Sequence, residues 1–325
     1  MNLSTGPLVT PADAYEIYRA CEERDKPDVP PLALEHFVAR LANPFPGADH
    51  EHYLAWIDGH PVGYLWIELP VLDNLDNANI ELSVLPSSRR RGAGRALLDL
   101  AAERIRELGR KHLIGPAMSR HPDGALFAAA MQAKPALEEV RSRLDLCAVD
   151  RAGHDALLAD AWRHAEGYRL ILWTGVAPDE IIDDVAYLDG RLNADAPTGE
   201  LAWEPEKVDA AKVREGELRA ARRGRTSYHA GALHGDRLVA WTRIAGDATD
   251  PAHAWQNITL VDPDHRGHRL GMLVKLANLA HVRELRPGLE VIDTFNAASN
   301  EHMLRINRAL GFRPLDSVTF WQLTL

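Results

Sequence analysis

Cysteine is nearly absent from this chain of 325 residues: Cys21 and Cys147 stand far apart and form no CxxC. That excludes a disulfide framework and a zinc ribbon, and a reducing, cytoplasmic setting is expected. Lysine is also scarce, with 6 against 31 arginines, and the 37 basic residues are outnumbered by 47 acidic ones, for a net charge of -10. A nucleic-acid-binding chain ordinarily carries a basic excess, so no nucleic-acid partner is expected. No apolar run reaches the roughly 18 residues of a membrane helix. The start, MNLSTGPLVTPADAYEIYRA, lacks the basic end and apolar core of a secretory signal. No GxSxG, HExxH or GxxxxGK[ST] occurs. The acidic balance leaves two partner types: a cationic small molecule, or an anion held at a local basic patch. With 46% hydrophobic and 26% charged residues, the chain can bury a core, and its length suggests two domains.

The chain repeats itself. IELSVLPSSRRRGAGRALLDLAAERI, from Ile80 to Ile105, resembles NITLVDPDHRGHRLGMLVKLANLAHV, from Asn257 to Val282. Val84, Pro86, Arg89 and Gly94 match Val261, Pro263, Arg266 and Gly271 at one offset, since 261 − 84 = 177. Ala55 and Val62 match Ala232 and Val239 at that offset, and Tyr64 meets Trp241. A period this long indicates two related domains rather than a solenoid. The boundaries expected are 1–152 and 153–325.

Each copy has the same layout. His52–Ile57, Asp58-Gly59 and Pro61–Leu69 read as a hairpin, as do Tyr228–Leu233, Gly235-Asp236 and Leu238–Ile244. A short strand ends near Leu85 or Val261, and an Arg/Gly loop then opens a long helix. In the first copy Leu97, Leu98, Ala101, Ala102, Ile105 and Leu108 form an apolar stripe of helical period. A strand, a helix and a closing strand follow in each: His112–Gly115, 124–133 and Glu138–Cys147, then Leu289–Phe295, 300–310 and Ser317–Leu325. Between the copies, 155–165 and 179–192 read as helix and Tyr168–Trp173 as strand. The fold class is α/β, each domain a mixed, partly antiparallel sheet flanked by helices.

The Arg/Gly loop carries the chemistry. Arg89-Arg90-Arg91-Gly92-Ala93-Gly94-Arg95 follows a strand and opens a helix. Glycines admit a ligand close to the backbone, and the free N–H groups of a helix start favour an anion such as a pyrophosphate. A Rossmann GxGxxG is excluded because the third glycine is missing and the loop follows an antiparallel hairpin.

The pattern [RQ]-x-x-G-x-[GA] between a strand and a helix resembles the acetyl-CoA loop of the GNAT family of N-acetyltransferases. The first copy matches it at Arg89, Gly92 and Gly94; the second departs once, with Arg269 in place of the first glycine. The likeness covers roughly residues 5–150 and 165–325, as in tandem members of the family. It implies two GNAT-like domains, acetyl-CoA as co-substrate with no metal, and acetyl transfer to a primary amine by direct attack. It places acetyl-CoA against Val84, Arg89, Arg90, Arg91, Gly92, Ala93, Gly94 and Arg95 in the first copy. In the second it implies Leu260, Val261, Arg266, Gly267, His268, Arg269, Leu270, Gly271, Met272 and Asn300. The family's second signature is an Asn opening the last helix, a Tyr seven residues on, then Gly-Phe. Asn300 and Gly311-Phe312 match, but Asn307 replaces the Tyr, and an amide has no proton to give at neutral pH. The first copy has Asp123-Gly124 and Lys134-Pro135 there. The second copy is therefore the expected catalytic half.

An acetyl transfer needs in-line positioning, an oxyanion donor and, preferably, a base. Asp293 and Glu81 are the base candidates, with Asn300 a further catalytic candidate; Gln256, Asn257 and Thr259 could position water. His265 and His268 have no third ligand beside them, so no metal site is expected. Arg222-Arg223-Gly224-Arg225 reads as a solvated turn. Trp203, beside Glu204 and Glu206, reads as packing or as a seat for a cation. The acceptor expected is a small-molecule amine, with a protein acceptor or a non-catalytic acyl-CoA-binding role as the alternatives, and the chain a monomer or homodimer.

Overall fold

The computed structural model describes residues 2–29 and 31–325. It divides into two compact units. The first gathers Met1–Glu139, Thr198–Glu204 and Asp316–Leu325; the second gathers Val140–Pro197 and Pro205–Leu315.

The first unit begins with β1 (Leu3–Pro7), α1 (Pro11–Asp25) and α2 (Leu34–Ala42), none of which the periodicity indicated. The hairpin β2 (Ala48–Ile57) and β3 (His60–Pro70) turns at Asp58 and Gly59, both left-handed, at φ 50° and 83°. That is the turn an Asp-Gly pair favours, because its twist matches that of the strands. Then come β4 (Asn77–Val84), α3 (Ala93–Glu107), β5 (His112–Met118) and α4 (Asp123–Ala130). The residues of β6 (Lys134–Asp145) are shared, 134–139 here and 140–145 in the second unit. β1 to β4 pair antiparallel in sequence order, and β4 pairs parallel with β5. Leu65 and Ile67 on one sheet face pack on Leu97, Ala101 and Ile105 of α3. Leu54 and Tyr64 on the other pack on Ile17 of α1 and Phe37 of α2.

The second unit continues with α5 (Arg151–Arg163), β7 (Tyr168–Thr174), α6 (Ile182–Gly190), α7 (Leu192–Asp195) and α8 (Ala210–Arg222). The hairpin β8 (Arg225–His234) and β9 (Arg237–Asp247) leads to β10 (His253–Val261), α9 (Leu270–Leu285), β11 (Val291–Ala297) and α10 (Glu301–Ala309). The duplication is visible element by element: β2 starts at 48 and β8 at 225, α3 at 93 and α9 at 270, each pair 177 apart.

The closing strands differ from the expectation that each copy completes its own sheet. In β12 (Arg313–Thr324), Val318–Thr324 pair antiparallel with Met118–His112 of β5, in the first unit. A residue period shows that a strand exists; it does not say which edge receives it. Trp203 stacks edge-on against Phe320 at 5.9 Å, so it packs within the first unit.

Candidate active site

The two Arg/Gly loops have one backbone shape. Arg90 and Gly92 are left-handed, at φ 63° and 92°; Gly267 and Arg269 are left-handed, at φ 87° and 55°. The positions correspond, since 267 − 90 = 177 and 269 − 92 = 177. The glycine serves the second left-handed position in one copy and the first in the other. The sequence departure at Arg269 therefore leaves the loop path intact. The cost is one arginine per copy held left-handed, about 1 kcal/mol each.

Neither α3 nor α9 has a side-chain cap, whereas Asp150, Asp209 and Asn300 cap α5, α8 and α10. The first-turn N–H groups of α3 and α9 are thus open to a ligand, at the positive end of the helix. A Cβ added at Gly94 would meet Phe127 at 3.4 Å, and one at Gly271 would meet Ile306 and Val261 at 3.7 Å. These are ordinary contacts, so packing alone does not demand glycine. The bare backbone leaves room above the loop, which fits an approaching pyrophosphate.

The arginines divide into two groups. Arg89 Nε donates to the Val84 carbonyl at 3.1 Å, and Arg266 Nε to that of Val261 at 3.4 Å, tying each loop to its strand. Arg89 also pairs with Asp123 at 2.7 Å, Arg266 with Asp195 at 3.0 Å, and Arg269 with Asp160. Arg90, Arg91 and Arg95 are exposed, with no ion pair among the described residues. The first loop therefore offers the freer positive charge.

Each loop sits at the mouth of a splayed strand pair. β4 and β5 pair only from Asn77–His112 to Asn79–Ile114, and β10 and β11 only from His253–Val291 to Trp255–Asp293. Beyond those points the strands run on unpaired with each other, which leaves main-chain donors and acceptors on the edges of β4 and β10. In the second unit β10 also bulges. Gln256 faces Ile244 and Thr259 faces Thr242, so Asn257 and Ile258 both stand opposite Arg243. Gln256 Nε2 donates to the Thr242 hydroxyl and to the Arg243 carbonyl, each at 3.0 Å, and holds the bulge in shape. The β3–β4 register in the first unit runs without a shift.

The carboxylate candidates fare differently. Glu81 lies on β4, two residues past the last pair with β5, and accepts from Arg40 of α2 at 2.8 Å. Burial works to raise its pKa, but Arg40 outweighs it and holds the carboxyl below its ordinary value. Nearby His52, bound to the Tyr64 hydroxyl at 2.9 Å, is pushed down to about 4 by burial and by Arg40, and is neutral. The residue equivalent to Glu81 in the second unit is Ile258, since 81 + 177 = 258. Asp293 is fully buried, held by Arg143 at 2.7 Å, His253 at 3.1 Å and Arg141 at 3.4 Å. A carboxylate so occupied is a structural anchor, and the reading of Asp293 as a base gives way to this geometry.

Asn300 caps α10 through Met303 N–H at 3.1 Å. Asn307 is buried; its amide donates to Asn296 at 2.7 Å, and its Oδ1 has no partner. His265 bonds the Tyr168 hydroxyl at 2.9 Å and His268 the His164 carbonyl at 3.2 Å. No group of metal-ligating side chains occurs among the described residues.

Sequence reasoning overlooked a repeated ring pair. His52 stacks on Tyr64, and its equivalent His229 on Trp241, since 52 + 177 = 229. Trp173 also stacks on His229, at 4.7 Å. The common offset was the available signal.

The family described as acetyltransferase (GNAT) family matches residues 12–127. Over the whole chain, mycothiol acetyltransferase of Sanguibacter keddieii is 28% identical, covering 96% of this chain and 93% of that one. The Actinosynnema mirum protein of the same description is 29% identical, with 93% of each covered. A solved tandem GNAT protein from the clavulanic acid biosynthesis pathway is 30% identical. It covers 99% of this chain and 98% of its own, with a TM-score of 0.83.

Proposed function

Since the chain belongs to the GNAT family of N-acetyltransferases, in its tandem form, we propose that it moves an acetyl group from acetyl-CoA to a primary amine of a small molecule. The second unit does the chemistry, and the loop of the first unit holds cofactor. The observation that carries this reading is the bulge at Asn257 and Ile258, placed where β10 parts from β11. A bulge turns main-chain groups out of the ladder, and here it does so at the open edge.

Acetyl-CoA, when bound, supplies the activated carbonyl. The pyrophosphate falls to the open N–H groups of α9 with Gly267 and Gly271, and to α3 with Arg90, Arg91 and Arg95 in the first unit. An N–H of β10 turned out at the bulge steadies the negative charge that develops on the carbonyl oxygen. Gln256 and Thr242 fix that strand, so the donor is set before the reaction begins. Ile258 offers no base, so the amine must arrive with its proton already lost or pass it to water. Most of the acceleration then comes from holding amine and thioester in line. Asn307 gives the departing thiolate no proton, and water serves instead.

Titration of acetyl-CoA into wild type, Gly94→Trp and Gly271→Trp by calorimetry, followed by thiol release with a panel of amines, tests this. The expected result is two sites in wild type, one lost in each variant, and turnover lost only in Gly271→Trp. Turnover lost only in Gly94→Trp would move the chemistry to the first unit and make Glu81 its base. Binding without turnover on any amine would leave an acyl-CoA-binding protein.

A further inference from the structure

The face of the second unit's sheet that packs on α6 carries a row of buried nitrogens with no hydrogen-bond partner among the described residues. Trp173 of β7 pairs in register with His229 of β8, and His229 with Arg243 of β9. Side chains directly opposite one another share a face, so the three lie side by side across the sheet, about 5 Å from strand to strand. Arg225, four residues before His229 on β8, points to the same face. Trp173 Nε1, His229 Nε2, Arg243 Nε and Arg225 Nε are all buried and unbonded.

Each of the four is a donor. An indole nitrogen and a guanidinium can only donate. Trp241 Nε1 donates to His229 Nδ1 at 3.1 Å, so Nδ1 carries no proton and the proton is on Nε2. Burial, and then the charge of Arg243, also hold His229 well below its ordinary pKa, which keeps it neutral. The Gly175 carbonyl is near its ring but outside hydrogen-bonding geometry. Arg243 makes no hydrogen bond or ion pair among the described residues; it touches the Trp241 ring at 5.9 Å. Asp189 and Glu217 act on it only at longer range. Four buried donor nitrogens, two of them on half-buried cationic side chains, with only the misaligned Gly175 carbonyl beside one of them, cost the fold free energy if nothing ever fills the place. A ligand with acceptor oxygens is the simplest resolution.

We propose that Arg243 and Arg225, with the N–H groups of Trp173 and His229, receive a carboxylate of the acceptor, so that the amine acetylated belongs to a molecule that also bears a carboxylate. This rests on the proposed acetyl transfer in the second unit. The distance favours it: Arg243 is the residue opposite the bulge, so a carboxylate on its guanidinium leaves an amine a few bonds away at the β10 edge. A monoanion suits the place better than a phosphate dianion, because Asp189 and Glu217 lie near enough to repel a second charge. The surplus charge of the whole chain pointed to a cationic acceptor; the local row selects one that carries a negative group as well.

Two measurements test it. Thiol release from acetyl-CoA compares amino acids of increasing chain length with their carboxamides, on wild type, Arg243→Met and Arg243→Lys. Binding of the matching N-acetyl amino acids and their amides is followed by tryptophan fluorescence, with no turnover needed. In wild type the carboxylate should win in both assays by roughly 10–100-fold, the worth of a charge-assisted hydrogen bond. Arg243→Met should abolish that preference, and Arg243→Lys should restore part of it. Arg243→Met should melt close to wild type, because no hydrogen bond or ion pair is lost and the buried Nε is removed; this separates lost recognition from lost folding. Amides equal to carboxylates in wild type, or a preference untouched in Arg243→Met, overturns the proposal. Carboxylate binding that depends on Arg243 without any turnover upholds the site and sinks the acetyl-transfer reading. Turnover confined to amines without a carboxylate does the reverse.

Discussion

At the scale of single residues, the same side-chain type does opposite work according to its partners. Asp293 and Glu81 are both strand carboxylates, yet Asp293 is enclosed by Arg141, Arg143 and His253, while Glu81 pairs with Arg40 at a half-exposed edge. Burial works to raise the pKa of Asp293, but the bonds from Arg143 and His253 prevail and hold it below its ordinary value of 3.8. A carboxylate lowered on folding adds stability above its unfolded value, and that share is lost as the pH falls through the lower, folded value. Asp293→Asn should therefore cost stability near neutral pH, because it removes the carboxylate charge that Arg141, Arg143 and His253 share. The deficit should shrink only in acid, below pH 3.8. Urea unfolding of wild type and variant across that range checks both the loss and its direction with pH. A loss of activity without a loss of stability would instead return Asp293 to the chemistry.

At the scale of elements, α9 shows how the copies diverged under one backbone. Its start repeats the start of α3, but Lys275 stands where α3 has Leu98, since 98 + 177 = 275. Lys275 is 3% exposed, has no ion pair among the described residues, and rests its ammonium 5.7 Å from the Phe312 ring. Burial pushes its pKa down to about 7, against an ordinary 10.5. Below pH 7 the folded state bears the whole cost of a buried charge; above 10.5 the lysine is neutral folded or unfolded and the cost is gone. Stability should therefore climb between those two values. Lys275→Leu should stabilise the protein by about 1–4 kcal/mol at pH 7 or below, with the gain fading toward pH 10. Thermal unfolding of both proteins at pH 6.5 and 9.5 reads it; an equal gain at the two would mean that the lysine keeps its ordinary pKa and is charged in the fold as in the unfolded chain.

At the scale of the whole molecule, the first unit depends on the far end of the chain. Val318–Thr324 complete its sheet along β5, and Gln322 accepts from Ala202 N–H at 2.9 Å in the returning segment 198–204. Removing 316–325 should expose β5 as an unpaired edge, which costs stability and invites aggregation. Hydrogen exchange should then show Leu113–Met118 losing protection while β8 and β9 keep theirs. A fragment of 1–152 should fare likewise, for want of the same strand. Protection unchanged in β5 would show that the strand is dispensable.

Much of this was legible in the sequence because it is local. The 177-residue offset, the Asp-Gly turn and the apolar stripe of α3 each depend on neighbours along the chain, and periodicity reports those. The loop was legible too, since glycine and arginine between a strand and a helix have few other uses. α1 and α2 escaped notice: they cover the sheet face that holds Tyr64 and Glu81, and α1 has little apolar bias of its own. What only the tertiary structure decided involves groups far apart in sequence. It gave the last strand to the first unit, closed Asp293 inside a cage reaching from Arg141 to His253, and lined up Trp173, His229 and Arg243 across three strands. Register sets those alignments. It is fixed by burial of a whole face and by one extra residue in β10, so no window of local sequence contains it.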